Sequence, residues 1–173
     1  MFPRLCNSVG ALRHVPGVLL ALPRNERMNF GNASDRPVGR GGDAMREILI
    51  RAGKVAIRAR LLETPTAERI WAALPIYAEA QMWGHEVYFR APISSDPEPE
   101  ARDVVSAGEI AFWPDGDAIA IGFGPTPVSR KGEIRMASPC NIWAMALDDV
   151  SSLKSVHAGE DIAIVEANGH AKR

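Results

Sequence analysis

Cysteine is scarce. The 173-residue chain has two, Cys6 and Cys140, and neither sits in a Cys-x-x-Cys pair or has a histidine nearby at ligand spacing. A disulfide framework and a zinc knuckle are therefore both poor descriptions of the chain, and both cysteines read as reduced thiols in a cytoplasmic protein. The four histidines also lack metal spacing, and no metal or cofactor is expected. A one-signed charge is missing as well: 20 Lys and Arg face 21 Asp and Glu. That balance gives no electrostatic footprint for a nucleic-acid partner. No apolar run approaches the roughly 18 residues of a membrane span. The longest candidate, "VPGVLLALP" at 15–23, is short and bracketed by prolines, and no small-x-small cleavage site follows it.

What is present divides the chain in two. Residues 1–45 hold six Arg against three acids, while 46–173 hold 14 basic residues against 18 acidic ones. Residues 1–44 are expected to be a disordered leader or a mis-assigned start, with Met28 or Met45 as the natural first residue. The stretch "GNASDRPVGRGGDA" at 31–44 has linker composition. Its "GRGGDA" fits a loose dinucleotide loop, but no strand precedes it and no helix follows, so phosphate cradling is not indicated. One domain is expected over 45–168, with a frayed tail at 169–173.

From Glu47 the pattern becomes short strands. "EILIRAGKVAIRARLL" reads as a hairpin turning at Ala52-Gly53, with Val55, Ile57, Ala59 and Leu61 on one face and charged residues on the other. "TPTAERIWAALP" carries helix punctuation: Thr64 as N-cap, Pro65 at the first position, Pro75 as terminator, and an apolar stripe of Ala67, Ile70, Trp71 and Leu74. Strands follow at 76–83 and 85–91, then an acidic, proline-rich loop at 92–104. Further strands are expected at 109–113, 117–123, 140–147 and 160–167, with a second short helix at 149–157. About eight short strands with one or two covering helices predict a mainly β fold, a closed antiparallel barrel.

Three segments, "MWGHEVYF" at 82–89, "GEIAFWPDGDAIAIGFGPTPVS" at 108–129 and "ASPCNIWA" at 137–144, together resemble the bacterial and archaeal cyclophilin-like domains. The resemblance covers nearly all of 46–167 and implies a cyclophilin-like β-barrel of about eight strands with a covering helix. It implies no particular reaction, since fold does not dictate function. The Phe-His-Arg strand of the prolyl isomerases is absent: "IYAEAQMW" stands in that region, and Arg90 follows Phe89 one strand later. His85 occupies a position where an acid is common, and Ala144 one where glycine is common.

The candidate site residues lie in the same segments. Ile119, Ile121 and Phe123 alternate with Ala118, Ala120 and Gly122, giving a packing taper or, alternatively, glycines that let a ligand approach the backbone. Trp113 ends a strand at Pro114, where its indole can pack or stack on a ligand. Glu86 and Tyr88 share a face that Glu109 could join, and burial of one carboxyl would suit acid/base work. Thr126 and Ser129 sit on a rigid Pro-Thr-Pro loop, and Asn141 is either a satisfied turn residue or a pocket amide. Cys140 and His157 read as structural. The expectation is a small organic molecule or peptide bound at the barrel mouth by Glu86, Tyr88, Trp113, Phe123, Thr126 and Asn141, in a protein that could form homo-oligomers. The alternatives are a subunit of an amide-cleaving hydrolase, by fold analogy, and a prolyl isomerase with an altered site.

Overall fold

The computed structural model describes residues 45–167; the leader, Cys6 and the tail at 169–173 fall outside the described residues. Ten strands occur among the described residues, in chain order: β1 Glu47–Ala52, β2 Val55–Leu61, β3 Ile76–Glu79, β4 Gln81–Met82, β5 Glu86–Arg90, β6 Arg102–Val105, β7 Glu109–Trp113, β8 Ala118–Gly122, β9 Ile134–Ala146 and β10 Asp161–Glu166. One α-helix, α1 Pro65–Ala73, separates β2 from β3, and Val150–Ser155 forms a 3-10 helix where the second helix was expected.

All pairings are antiparallel, and the strands run β3-β10-β1-β2-β9-β7-β8-β5-β4, with β6 attached to β9 off this path. The two ends of the path, β3 and β4, are separated in the chain by Ala80 alone. What reads as one strand over 76–83 is thus bent at Ala80, its halves pairing with opposite edges of the sheet. The corner leaves no backbone group stranded: Ala80 N donates to Glu160 O at 2.8 Å, and Gly159 N donates to Ala80 O at 2.8 Å. The sheet is a nearly closed barrel as a result.

Period-two alternation decides what each strand buries. Val87 and Phe89 of β5, Ile110 and Phe112 of β7, and Ile119 and Ile121 of β8 point into the barrel with the isoleucines of β1, β2 and β10. Between Ile110 and Ala111 the register against β9 shifts: Ile110 faces Ala144, and Ala111 faces Ile142. Trp143 is the extra residue of this bulge, so it and Ala144 both join the interior. Helix α1 closes one side, capped by Thr64 through Ala67 N at 3.2 Å and burying Thr66, Ala67 and Ile70.

Two strands occupy segments expected to be loops. β9 begins at Ile134 rather than Cys140, and β6 pairs with this added half inside the acidic, proline-rich stretch. Pro139 is tolerated because β6 and β9 are out of register there, between the pairs Arg102–Cys140 and Val104–Arg135. This first half of β9 lies across the outer face of β7 and β8, where Met136 and Cys140 pack on Ala111 and Ala120 as a second, smaller apolar cluster.

The loop between β5 and β6 is tied down by Asn141, 1% exposed. Its Nδ2 donates to Asp96 O at 2.9 Å and to Thr66 Oγ1 at 3.0 Å, and its Oδ1 accepts from Glu98 N at 2.8 Å. Thr66 Oγ1 donates in turn to Glu98 Oε1 at 2.6 Å. Replacing Asn141 with Ala removes three hydrogen bonds and leaves Glu98 N without its acceptor, so Asn141→Ala should lose about 2–3 kcal/mol in urea denaturation and speed amide exchange at Glu98.

Candidate functional site

A cavity of about 310 Å³ opens on the outer face of the barrel, opposite the interior side of β5, β7 and β8. This differs from the expected position at the barrel mouth, and the reason is packing: the interior is filled by Phe89, Phe112, Ile119, Ile121 and Trp143, all essentially inaccessible. The outward face of β8 carries only Ala118, Ala120 and Gly122; Ile134 and Met136 cover Gly122, and the small side chains of Ala118 and Ala120 leave room for the cavity.

Strand register assembles the walls. Tyr88 lies opposite Ala120 and Glu86 opposite Gly122 on one side, and Trp113 lies opposite Ala118 on the other. Met136, Ala137 and Cys140 of β9 and Trp83 complete the lining. Glu86, Tyr88 and Trp113 are therefore brought together from the expected set. Trp83, Ala118, Ala120, Met136, Ala137 and Cys140 are additional. Of these, Ala118 and Ala120 were visible as the small side of an alternation and Cys140 read as structural, whereas Met136 and Ala137 were hidden in a polar segment.

The indole of Trp113 is fixed from two sides. Its Nε1 donates to Ser138 Oγ at 2.7 Å, and Ser138 Oγ reaches Asp115 Oδ2 at 3.2 Å. The backbone of Gly116 lies against the ring so closely that a Cβ there would be 2.4 Å from two ring carbons. The aromatic wall is thus in place before any ligand arrives.

Glu86 is the unusual group. It is 6% exposed, yet its Oε2 is buried without a hydrogen-bond partner. Burial alone pushes its carboxyl up to about 7. It can therefore take or release a proton near neutrality. Cys140, on the facing strand, is driven the other way from reactivity: burial, with Glu86, Asp115 and Asp103 adding negative charge, raises its thiol to about 12. A thiol held neutral packs and does not attack.

The remaining expected residues stand elsewhere. Phe123 leans on the main core and stacks on His85 at 5.5 Å between ring centroids. Thr126 is buried in a small network: its Oγ1 donates to Arg135 O, and its N donates to Ser129 Oγ at 2.9 Å. Asn141 holds the loop described above. The Phe-Gly-Pro-Thr-Pro segment is thus a clasp around the turn before β5, with His85 N donating to Pro125 O at 3.0 Å. The glycines of this region do not admit a ligand. A Cβ on Gly122 would be 2.5 Å from Ile134 Cγ2, and one on Gly124 would be 2.7 Å from His85 Nδ1. Glu109 points away, paired to Arg102 and accepting from Ser106 N at 2.8 Å.

The sequence profile described as cyclophilin-like matches residues 46–165, which is most of the chain. The chain belongs to the cyclophilin-like family. Among solved structures it is similar to the hypothetical protein AF2241 from Archaeoglobus fulgidus, with 34% identity, a TM-score of 0.62, and coverage of 71% of this chain and 95% of that one. It also resembles McbB, solved in complex with tryptophan, at 13% identity and a TM-score of 0.55; the match covers 73% of this chain and 46% of McbB, a likeness of fold. None of the curated proteins matches the sequence. No helix among the described residues is long and apolar enough to cross a membrane, and no group of three or more His, Cys, Asp or Glu among them could hold a metal.

Two outcomes follow for this cyclophilin-like domain. Because Glu86 binds its proton more tightly folded than unfolded, it stabilises the fold below its unfolded value near 4.5, and that contribution is lost as pH rises through about 7. Glu86→Gln should therefore be more stable than the parent at pH 8, by up to about 3 kcal/mol, and indistinguishable from it at pH 4, read by denaturant titration at both values. Gly116→Ala should displace the Trp113 ring, shifting its indole N–H resonance while the core amides of β1 and β2 stay in place.

Proposed function

We propose that this cyclophilin-like domain binds a small, mostly apolar organic molecule or the apolar side chain of a peptide in the outer-face cavity, with Glu86 as its polar contact. The observation that carries the reading is the unpartnered Oε2 of a 6%-exposed carboxyl in a cavity otherwise lined by rings, methyls and a neutral thiol. Buried polar groups are nearly always satisfied within a fold, and one left open beside a cavity of this size awaits a partner. Tyr88 and the pinned Trp113 give such a guest two aromatic surfaces at little entropic cost. McbB, of which 46% matches this fold, is known in complex with tryptophan, a small aromatic amino acid.

A second reading has one observation in its favour. Arg90 follows Tyr88 on the same face of β5 and lines an adjoining groove of about 740 Å³, which shares Tyr88, Trp113 and Ala118 with the cavity. A guanidinium beside an apolar pocket could hydrogen-bond a prolyl carbonyl, as an altered isomerase site would require. A protease-coupled proline-peptide assay distinguishes the two: rates at the uncatalysed baseline leave binding alone.

The test of the main reading is steric. Ala118→Leu puts three more carbons into the cavity from its floor. Fragments that shift the Trp83 and Trp113 indole resonances of the parent should lose their effect on this variant, by at least about tenfold in affinity, with the melting temperature little changed. Unchanged binding by Ala118→Leu would place the ligand elsewhere.

A further inference from the structure

We infer that the ligand of the outer-face cavity is a small organic ammonium ion, an amine carried on an apolar or aromatic body, held between the Glu86 carboxylate and the rings of Trp83, Trp113 and Tyr88. The inference rests on the reading of the cavity as a ligand site and names the class of ligand.

The lining is one-sided in charge. It contains one carboxyl, three aromatic rings and no basic side chain. An anion would meet Glu86 in a low-dielectric site with nothing to compensate it. A neutral apolar guest would leave Oε2 of Glu86 without a partner and strip what water remains around the carboxyl. An ammonium group supplies both the missing N–H donors and the opposite charge, and the faces of Trp and Tyr attract a cation further. Three partly buried carboxylates of the domain are already engaged: Glu98 by Thr66, Glu109 by Arg102, and Glu133 by Arg135. Glu86 is not.

Binding of a cation is coupled to the proton on Glu86. The titratable groups that line the cavity with it are Tyr88 on its own strand and Cys140 on β9, while β8 contributes only Ala118 and Ala120. Arg90 and Asp115 lie in the adjoining groove. With the carboxyl at about 7, an ammonium that requires it ionised must expel a proton in acid and none in base. Affinity for an amine should therefore be flat above that value and fall below it, by up to about tenfold per pH unit.

Three probes of one shape separate the possibilities: 2-phenylethylamine, 2-phenylethanol and 3-phenylpropionate, titrated into the full chain at pH 8 and followed by the Trp83 and Trp113 indole resonances. The amine should bind at least about tenfold tighter than the alcohol, and the carboxylate weakest of the three. At pH 6 the amine should weaken about tenfold while the alcohol is unaffected. Glu86→Gln should abolish the preference for the amine and its pH dependence, yet still admit the alcohol. If the alcohol or the carboxylate binds as well as the amine, or if amine affinity is the same at both pH values, the ammonium inference fails and the cavity remains a ligand site. If none of the three moves either indole, the cavity reading fails with it.

Discussion

All five residues of β8 are buried, and the strand does two jobs through its alternation of Ala and Ile. Ile119 and Ile121 fill the barrel, whereas Ala118 and Ala120 leave room on the other side. The neighbouring strands obey the same rule with the same hand: β5 sends Val87 and Phe89 inward and Glu86 and Tyr88 outward, and β7 sends Ile110 and Phe112 inward and Trp113 outward. A one-residue slip in any of these registers would exchange core and cavity, so the barrel's packing specifies the site. The cavity is the outer side of the strands that make the core.

Covering that outer face takes the first half of β9. Met136 and Cys140 pack on Ala111 and Ala120, Ile134 and Met136 occupy the space over Gly122, and Ser138 holds the Trp113 indole. Within this frame the polar groups fall into two sets. Asn141, Thr66, Glu98, Thr126 and Ser129 satisfy one another or the backbone inside the fold, and their value is structural. Glu86, the buried carboxyl of the cavity, is left unmatched, and this cost in stability is the ground on which it is proposed as the ligand contact.

The alternation of β5, β7 and β8 was readable from residue types alone, which is why the barrel and the shared face of Glu86 and Tyr88 could be anticipated. The means of its closure could not. "IYAEAQMW" has no break in its pattern, and its bend at Ala80 is dictated by hydrogen bonds to Gly159 and Glu160, about eighty residues away. The β6–β9 ladder was equally hidden, because "PTPVSRKGEIRMASP" is polar and proline-bounded, and its pairing with β6 is long-range. Thr126, Asn141 and Phe123 drew notice because polar and aromatic residues near glycine and proline often line sites. Whether such a residue is satisfied depends on partners remote in sequence: Asn141 answers to Glu98, 43 residues away. Satisfaction of hydrogen bonds is a tertiary property, and composition does not carry it.

The account turns on a carboxyl held in an apolar, open cavity without a partner. Titrating the side-chain carboxyl carbon of Glu86 by NMR in the ligand-free protein measures that condition directly, with Glu86→Gln assigning the resonance. The account predicts a midpoint at about 7, well separated from the solvent-exposed glutamates. A midpoint near the ordinary value of about 4.5 would mean that Glu86 is hydrated or paired in solution, and would contradict it.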